Sequence, residues 1–142
     1  MANKTIDQIV AELADREGIR DIVLRYYDAV WRNDVAGIVD LFAENGTMTI
    51  KGGSFDGRQA AGRDALTKFY RQGLSVVSPR PYLHNHVIDL MGSGRASGRC
   101  YMELRSGRNF DWIGAVIYED EYIKIGDHWK FFSRTATAVH GA

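Results

Sequence analysis

From Ile19 onward apolar side chains recur at helical spacing. Ile19, Ile22, Val23, Tyr26, Tyr27 and Val30 form one stripe, which predicts an amphipathic helix with two tyrosines on its buried face. Upstream, Thr5 and Gln8 have the form of a capping box that opens a short helix carrying Ile6, Ile9, Val10 and Leu13, and Asp15 is suited to cap the longer helix that follows. Asp34 interrupts the stripe and caps a second helix through Phe42, with Ile38, Val39, Leu41 and Phe42 inward and Gly46 just past its end. A strand is predicted from Thr47 to Lys51. The glycine-broken stretch GGSFDGRQAAGRDA then reads as a loop with at most a short strand around Phe55; its glycines are irregularly spaced and no lysine follows them, so they do not cradle a phosphate. Leu66, Phe69, Tyr70 and Leu74 predict a third helix over Ala65 to Leu74.

From Tyr82 the period changes from helical to alternating. Strands are predicted at Tyr82 to Met91, Ala96 to Arg105, Asn109 to Ile125 and His128 to Val139, and the short turns MGSGR, RSGR and IGDH pair them antiparallel. Helices followed by a meander of strands give an α+β fold, with helices packed on one face of a curved, mostly antiparallel sheet in a single domain, residues 1–142. In the third of these strands Trp112, Val116, Tyr118, Asp120 and Tyr122 share one face, and Ile113, Ala115, Ile117 and Ile123 share the other. Both faces are largely apolar. The helices cover one; the other is expected to be covered by a second copy, giving a homodimer through the sheet, or else by the C-terminal tail.

Composition narrows the function. A chain of 142 residues is one domain, able to bury roughly 68–70% of its unfolded surface. Eighteen basic and eighteen acidic residues leave no net charge, which excludes the electrostatic footprint of a nucleic-acid binder. The lone cysteine, Cys100, excludes an internal disulfide, suits a reducing compartment, and is expected to be a buried packing residue. The N-terminal MANKTIDQIVAELADREG has acids from Asp7 and no unbroken apolar run, so neither a signal peptide nor a membrane span is expected, and the protein is expected to be cytoplasmic.

Candidate chemistry is reached by elimination. His84 and His86 stand two apart on a strand without the neighbours a zinc or iron site needs, so no metal is expected, and no Ser or Cys has a base beside it. What remains is acid–base work without a cofactor, in a hollow between the helices and the concave sheet. Asp120 and Arg134, on neighbouring strands, are expected to be a structural ion pair. Glu103 shares a face with Tyr101 and Arg105, opposite Cys100, Met102 and Leu104, and is either solvated or paired with an arginine in the cavity. Trp31, Trp112, Phe110 and Phe131 are core residues or an aromatic wall for a flat apolar ligand.

The motifs RYYDAVWRND, IVDLFAENGTM and GRDALTKFY, followed by LHNHVIDL, SGRCYMEL and GAVIYEDEYIKIGDHWKFFSR, resemble the SnoaL-like, ketosteroid-isomerase-like and scytalone-dehydratase-like proteins of the nuclear transport factor 2-like superfamily over nearly the whole chain. The resemblance implies that superfamily's cone-shaped fold. In the isomerase pattern the oxyanion tyrosine falls on Tyr26 and the second donor on Tyr118, while the general-base carboxylate falls on Ile50. In the dehydratase pattern the Asp of an Asp–His pair falls on Trp31 and the His on Pro81; Asp28, one turn from Trp31, and His84, three residues from Pro81, are the substitutes within reach. Tyr26, Asp28, His84 and Tyr118 are therefore the candidate catalytic residues, and Tyr27, Trp31, His86, Tyr101, Glu103, Trp112 and Phe131 the candidate ligand contacts. The expected function is a cofactor-independent isomerase, dehydratase or cyclase acting on a small hydrophobic molecule. The alternative is a ligand-binding or scaffold protein of the same fold that lacks the catalytic residues.

Overall fold

A computed structural model describes residues 3–141; Met1, Ala2 and Ala142, the ends of the expected 1–142 domain and of the N-terminal stretch read above, lie outside the described residues. Three α-helices, α1 (Ile6–Trp31), α2 (Val35–Val39) and α3 (Arg63–Val77), pack on one six-stranded sheet. Its strands are β1 (Phe42–Lys51), β2 (Gln59–Ala61), β3 (Pro79–Gly92), β4 (Arg95–Ser106), β5 (Trp112–Ile125) and β6 (His128–His140), in the spatial order β2-β1-β6-β5-β4-β3. All neighbours are antiparallel except β1 and β6. The architecture is α+β, with the helices on one face of the sheet.

The capping box forms: the Thr5 hydroxyl accepts from the Gln8 N–H and the Gln8 side chain accepts from the Thr5 N–H. It opens one unbroken helix rather than a short helix followed by a long one. Asp15 does not cap; its carboxylate reaches outward to accept from Trp129 Nε1 at 3.1 Å and from Lys124 Nζ at 3.0 Å, on the β5–β6 hairpin. Gly18 keeps its place inside the helix because the Trp129 ring lies where a Cβ would be, 2.8 Å from Cδ1. α1 also runs along the edge strand β3, satisfying two of its free carbonyls: Arg16 Nη1 donates to Ile88 O and Trp31 Nε1 to Pro81 O, each at 2.8 Å.

At the bend Asn33 adopts a left-handed conformation, φ 54°, which Asn tolerates better than most residues. Asp34 caps α2 through the Gly37 N–H at 2.9 Å. α2 ends at Val39, before the expected Phe42, because β1 begins there; Phe42 pairs with Phe131 of β6, and a register shift between Phe42 and Thr47 accommodates Gly46 inside the strand. The segment around Phe55 is a single 3₁₀ turn, Gly53–Phe55, not a strand.

The core lies between α1, α3 and the inner sheet face. Ile19, Val23, Tyr26, Ile38, Leu66 and Phe131 are at most 2% exposed, and Cys100 is buried as expected. Asp120 and Arg134 are buried with them and form the expected ion pair, Nε to Oδ1 at 2.7 Å and Nη2 to Oδ2 at 3.0 Å. Among the described residues no helix is long and apolar enough to cross a membrane.

Candidate functional site

α1, α3 and the concave sheet face enclose a cavity of about 280 Å³. Its deep end is built from residues that helical and strand spacing bring together: Tyr26 and Tyr27 on the buried stripe of α1, Tyr70 on that of α3, and Tyr118 from the inner face of β5. The hydroxyls of Tyr26 and Tyr70 share a hydrogen bond of 2.8 Å. The Tyr26 ring meets Tyr27, Tyr70 and Tyr118 edge to face, with centroids 5.3, 5.9 and 6.1 Å apart. The walls are apolar, from Met48, Leu74, Met102 and Val116 among others. Lining residues become more exposed at Gly52, Ser54, Phe55, Arg58, Gly73, Pro79 and Gly141, which marks the mouth.

Behind the phenols lies Arg134. Its guanidinium carbon stands 4.3 Å from the Tyr26 ring centroid, 4.2 Å from Tyr118 and 4.3 Å from Phe131, and Nη2 donates to the Tyr27 hydroxyl at 3.4 Å. Burial opposes its charge, yet Asp120, with Tyr27 and Tyr26, outweighs it and raises its pKa well above normal, so Arg134 stays protonated. Burial pushes the phenols of Tyr26, Tyr27 and Tyr118 well above their ordinary range and Tyr70 upward too; the nearby guanidinium only partly counters this. At neutral pH these hydroxyls are neutral donors, not bases. The same burial, outweighing Arg134, lifts the Cys100 thiol to about 12, which removes it as a nucleophile. The polar core continues outward: Tyr122 donates to Asp120 at 2.9 Å, and His86 Nε2 lies 3.0 Å from the Tyr122 hydroxyl.

The structure brings Tyr26, Tyr27 and Tyr118 to the cavity and leaves the other candidates off it. Asp28 projects from the exposed side of α1, its side chain 67% exposed and paired with Arg32 at 3.1 Å. A register shift does occur in β3 between Leu83 and Asn85, but it leaves the His84 side chain 60% exposed with Nε2 3.3 Å from Glu103, and places His86 against Tyr122. Asp28 and His84 therefore do not meet. Glu103 accepts from Arg105 at 3.2 Å outside the cavity, its pKa lowered by the hydrogen bonds from His84 and Arg105, and Tyr101 accepts from Arg99 at 3.3 Å. Phe131 is fully buried core packed against Tyr26 and Phe42.

Trp112 is 43% exposed and stacks against His140, because irregularities in β5 near Leu104–Arg105 and Ala115–Val116 break the simple alternation and put Ile113, not Trp112, at the cavity wall. Trp31 and Pro81, the positions on which the dehydratase pattern falls, do touch, but as an indole donating to a carbonyl; Ile50, at the isomerase-base position, lines the cavity as an apolar residue.

Two site residues were not among the candidates. Tyr70 belongs to the apolar stripe of α3, where a buried phenol needs a partner for its hydroxyl; that need is its only signal in the sequence. Arg58, from the glycine-broken loop, lines the mouth and gave no periodic signal. Among the described residues no carboxylate or imidazole lines the cavity, and no three His, Cys, Asp or Glu side chains gather as a metal site requires.

No curated protein sequence matches the chain. Among solved structures, a nuclear transport factor 2-like protein with a cystatin-like fold from Novosphingobium aromaticivorans superposes with a TM-score of 0.80 at 18% identity, covering 99% of this chain and 94% of that one. LinA superposes with a TM-score of 0.79 at 20% identity over 92% of this chain and 90% of its own. A Novosphingobium aromaticivorans protein provisionally named a scytalone dehydratase gives 0.76 at 21% identity, covering 90% and 86%. At such identities the similarity establishes the fold. Residues 11–135 match the SnoaL-like domain, from the second turn of α1 into β6, and with this sheet and these helices the chain belongs to the SnoaL-like family.

Proposed function

We propose that the protein binds a small, mainly hydrophobic molecule in the helix–sheet cavity and holds an oxygen of that molecule against the phenols at its deep end. The observation that carries this reading is the cluster of Tyr26, Tyr70 and Tyr118, buried and protonated, closing an otherwise apolar hollow of about 280 Å³. That volume sits just below the roughly 300–1,000 Å³ of pockets for drug-sized ligands, so the ligand is small.

Binding without chemistry is the better-supported form of the function, because the lining supplies donors but no group that accepts a proton at neutral pH. A second reading, an isomerase, dehydratase or cyclase, is favoured by one feature: neutral phenols in a low-dielectric site suit a developing oxyanion. In that case the proton acceptor comes with the substrate or is water.

The two readings separate experimentally. A melting-point screen against pairs of matched ring compounds with and without a ketone or hydroxyl should raise the melting point more for the oxygenated member, and Tyr26→Phe with Tyr118→Phe should remove that difference. Equal shifts for both members would sink the phenol contact. Recovery of the bound compound unchanged after long incubation supports binding alone; a product whose formation falls on Tyr26→Phe supports catalysis.

A further inference from the structure

We propose that the ligand carries a carboxylate and that Arg58 receives it at the mouth of the cavity; this rests on the cavity being the binding site. Arg58 is the one charged residue among the described residues that line it. Its backbone is fixed, with its carbonyl accepting from the Ile50 N–H at 2.9 Å and its N–H donating to Phe55 O at 3.2 Å. Its guanidinium carbon stands 5.4 Å from the centroids of both Phe55 and Phe69, and Nη2 donates to Gln72 at 3.0 Å. Two aromatic rings and an amide thus hold it in place, while no carboxylate among the described residues comes within ion-pair distance.

That arrangement contrasts with two arginines near it in the fold. Arg63, on the adjacent helix, is paired with Asp40 and Arg134 with Asp120. Arg58 uses its guanidinium in a single hydrogen bond to a neutral side chain, leaving most of a five-donor fork free beside an apolar hollow. A planar fork of this kind matches a carboxylate in two parallel hydrogen bonds. A single cation, with no lysine beside it in the lining, suits a monoanion better than a phosphate dianion. The apolar body of such a ligand lies among Phe69, Leu74 and Met102, between the guanidinium and the phenols. The ligand class is a hydrophobic monocarboxylate of one or two rings, or a short chain of that bulk.

The test is calorimetric titration of the full chain at low salt with phenylacetate, 1-naphthoate and their methyl esters, and with 1-naphthyl phosphate. The acids should bind roughly 10- to 100-fold more tightly than their esters, the range expected for a charged hydrogen-bonded contact. Arg58→Gln should abolish that preference, bringing each acid down to the affinity of its ester, and Arg63→Gln should leave all affinities as they were. Equal affinity of acid and ester for the unmodified protein, a preference that survives Arg58→Gln, or tighter binding of the phosphate overturns the assignment while leaving the cavity reading intact. If none of the compounds binds, the cavity reading fails and this assignment with it. The acid–ester comparison needs no variant, so a misfolded Arg58→Gln protein does not blunt it.

Discussion

The Arg134 guanidinium is enclosed by four aromatic rings and one carboxylate. Arg134 and Asp120 are both fully shielded from water, so removing one partner strands the other's charge. Arg134→Met is expected to cost about 3–5 kcal/mol of stability by urea denaturation, and adding Asp120→Asn should recover part of that loss, because the stranded carboxylate is then gone. His86, whose Nε2 lies 3.0 Å from the Tyr122 hydroxyl, is expected to make the stability of the same network depend on pH. Burial lowers its pKa from 6.5, with Arg134 and Arg20 acting in the same direction and Asp120 against them. Above pH 6.5 neither the folded nor the unfolded chain holds this proton; as pH falls below that value the unfolded chain takes it up first. The contribution to stability is therefore present above 6.5 and is lost as pH falls through the lowered folded value. Between pH 7.5 and pH 5 the unmodified protein should lose more stability than His86→Gln; parallel losses would show that His86 does not couple to folding. Tyr26, Tyr27 and Tyr118 were readable as residues of one hollow because helical and strand periods point them inward. Arg58 was not, since its position depends on a loop whose course no period encodes.

At the level of elements, α1 owes its length to contacts that its own sequence does not advertise. Asp15 has the composition of a cap, and Gly18 that of a break, yet both serve Trp129: one accepts its indole N–H and the other leaves room for its ring. An exposed mid-helix Gly→Ala change ordinarily gains up to about 1 kcal/mol. Gly18→Ala should instead lose about 1–3 kcal/mol, the range for overpacking, visible as a lower urea midpoint. A gain would mean that Trp129 moves aside at no cost. The antiparallel pairing of the last four strands and most of their ends followed from the alternating pattern and short turns, whereas the parallel pairing of β1 with β6 did not, and the two places where the pattern misled, at His84–His86 and Trp112–Ile113, are both next to register irregularities. A single inserted residue exchanges inner for outer, and nothing in an apolar run marks where that happens. The start of β1 was hidden for a related reason: Phe42 is as suitable for a helix stripe as for the strand it joins.

For the whole molecule, assembly turns on the outer sheet face. Tyr101, Ile117 and Thr137 sit side by side on neighbouring strands there. We propose that a second copy covers this face, a contact that a chain of zero net charge does not oppose by self-repulsion. Light scattering at micromolar concentration should give twice the chain mass, and Ile117→Lys should reduce it to the monomer mass; a monomer before substitution would remove the idea. The clasp between α1 and the rim strand has an optical corollary. Trp31 is bonded to Pro81, a wall residue of the hollow, and the Trp112 ring lies beside Gly141, another wall residue, whereas Trp129 sits apart on Asp15. Two of the three indoles thus touch residues that line the hollow. Filling it should alter the emission of the unlabelled protein, Trp31→Phe should remove much of that change, and guests can be counted by fluorescence titration alone.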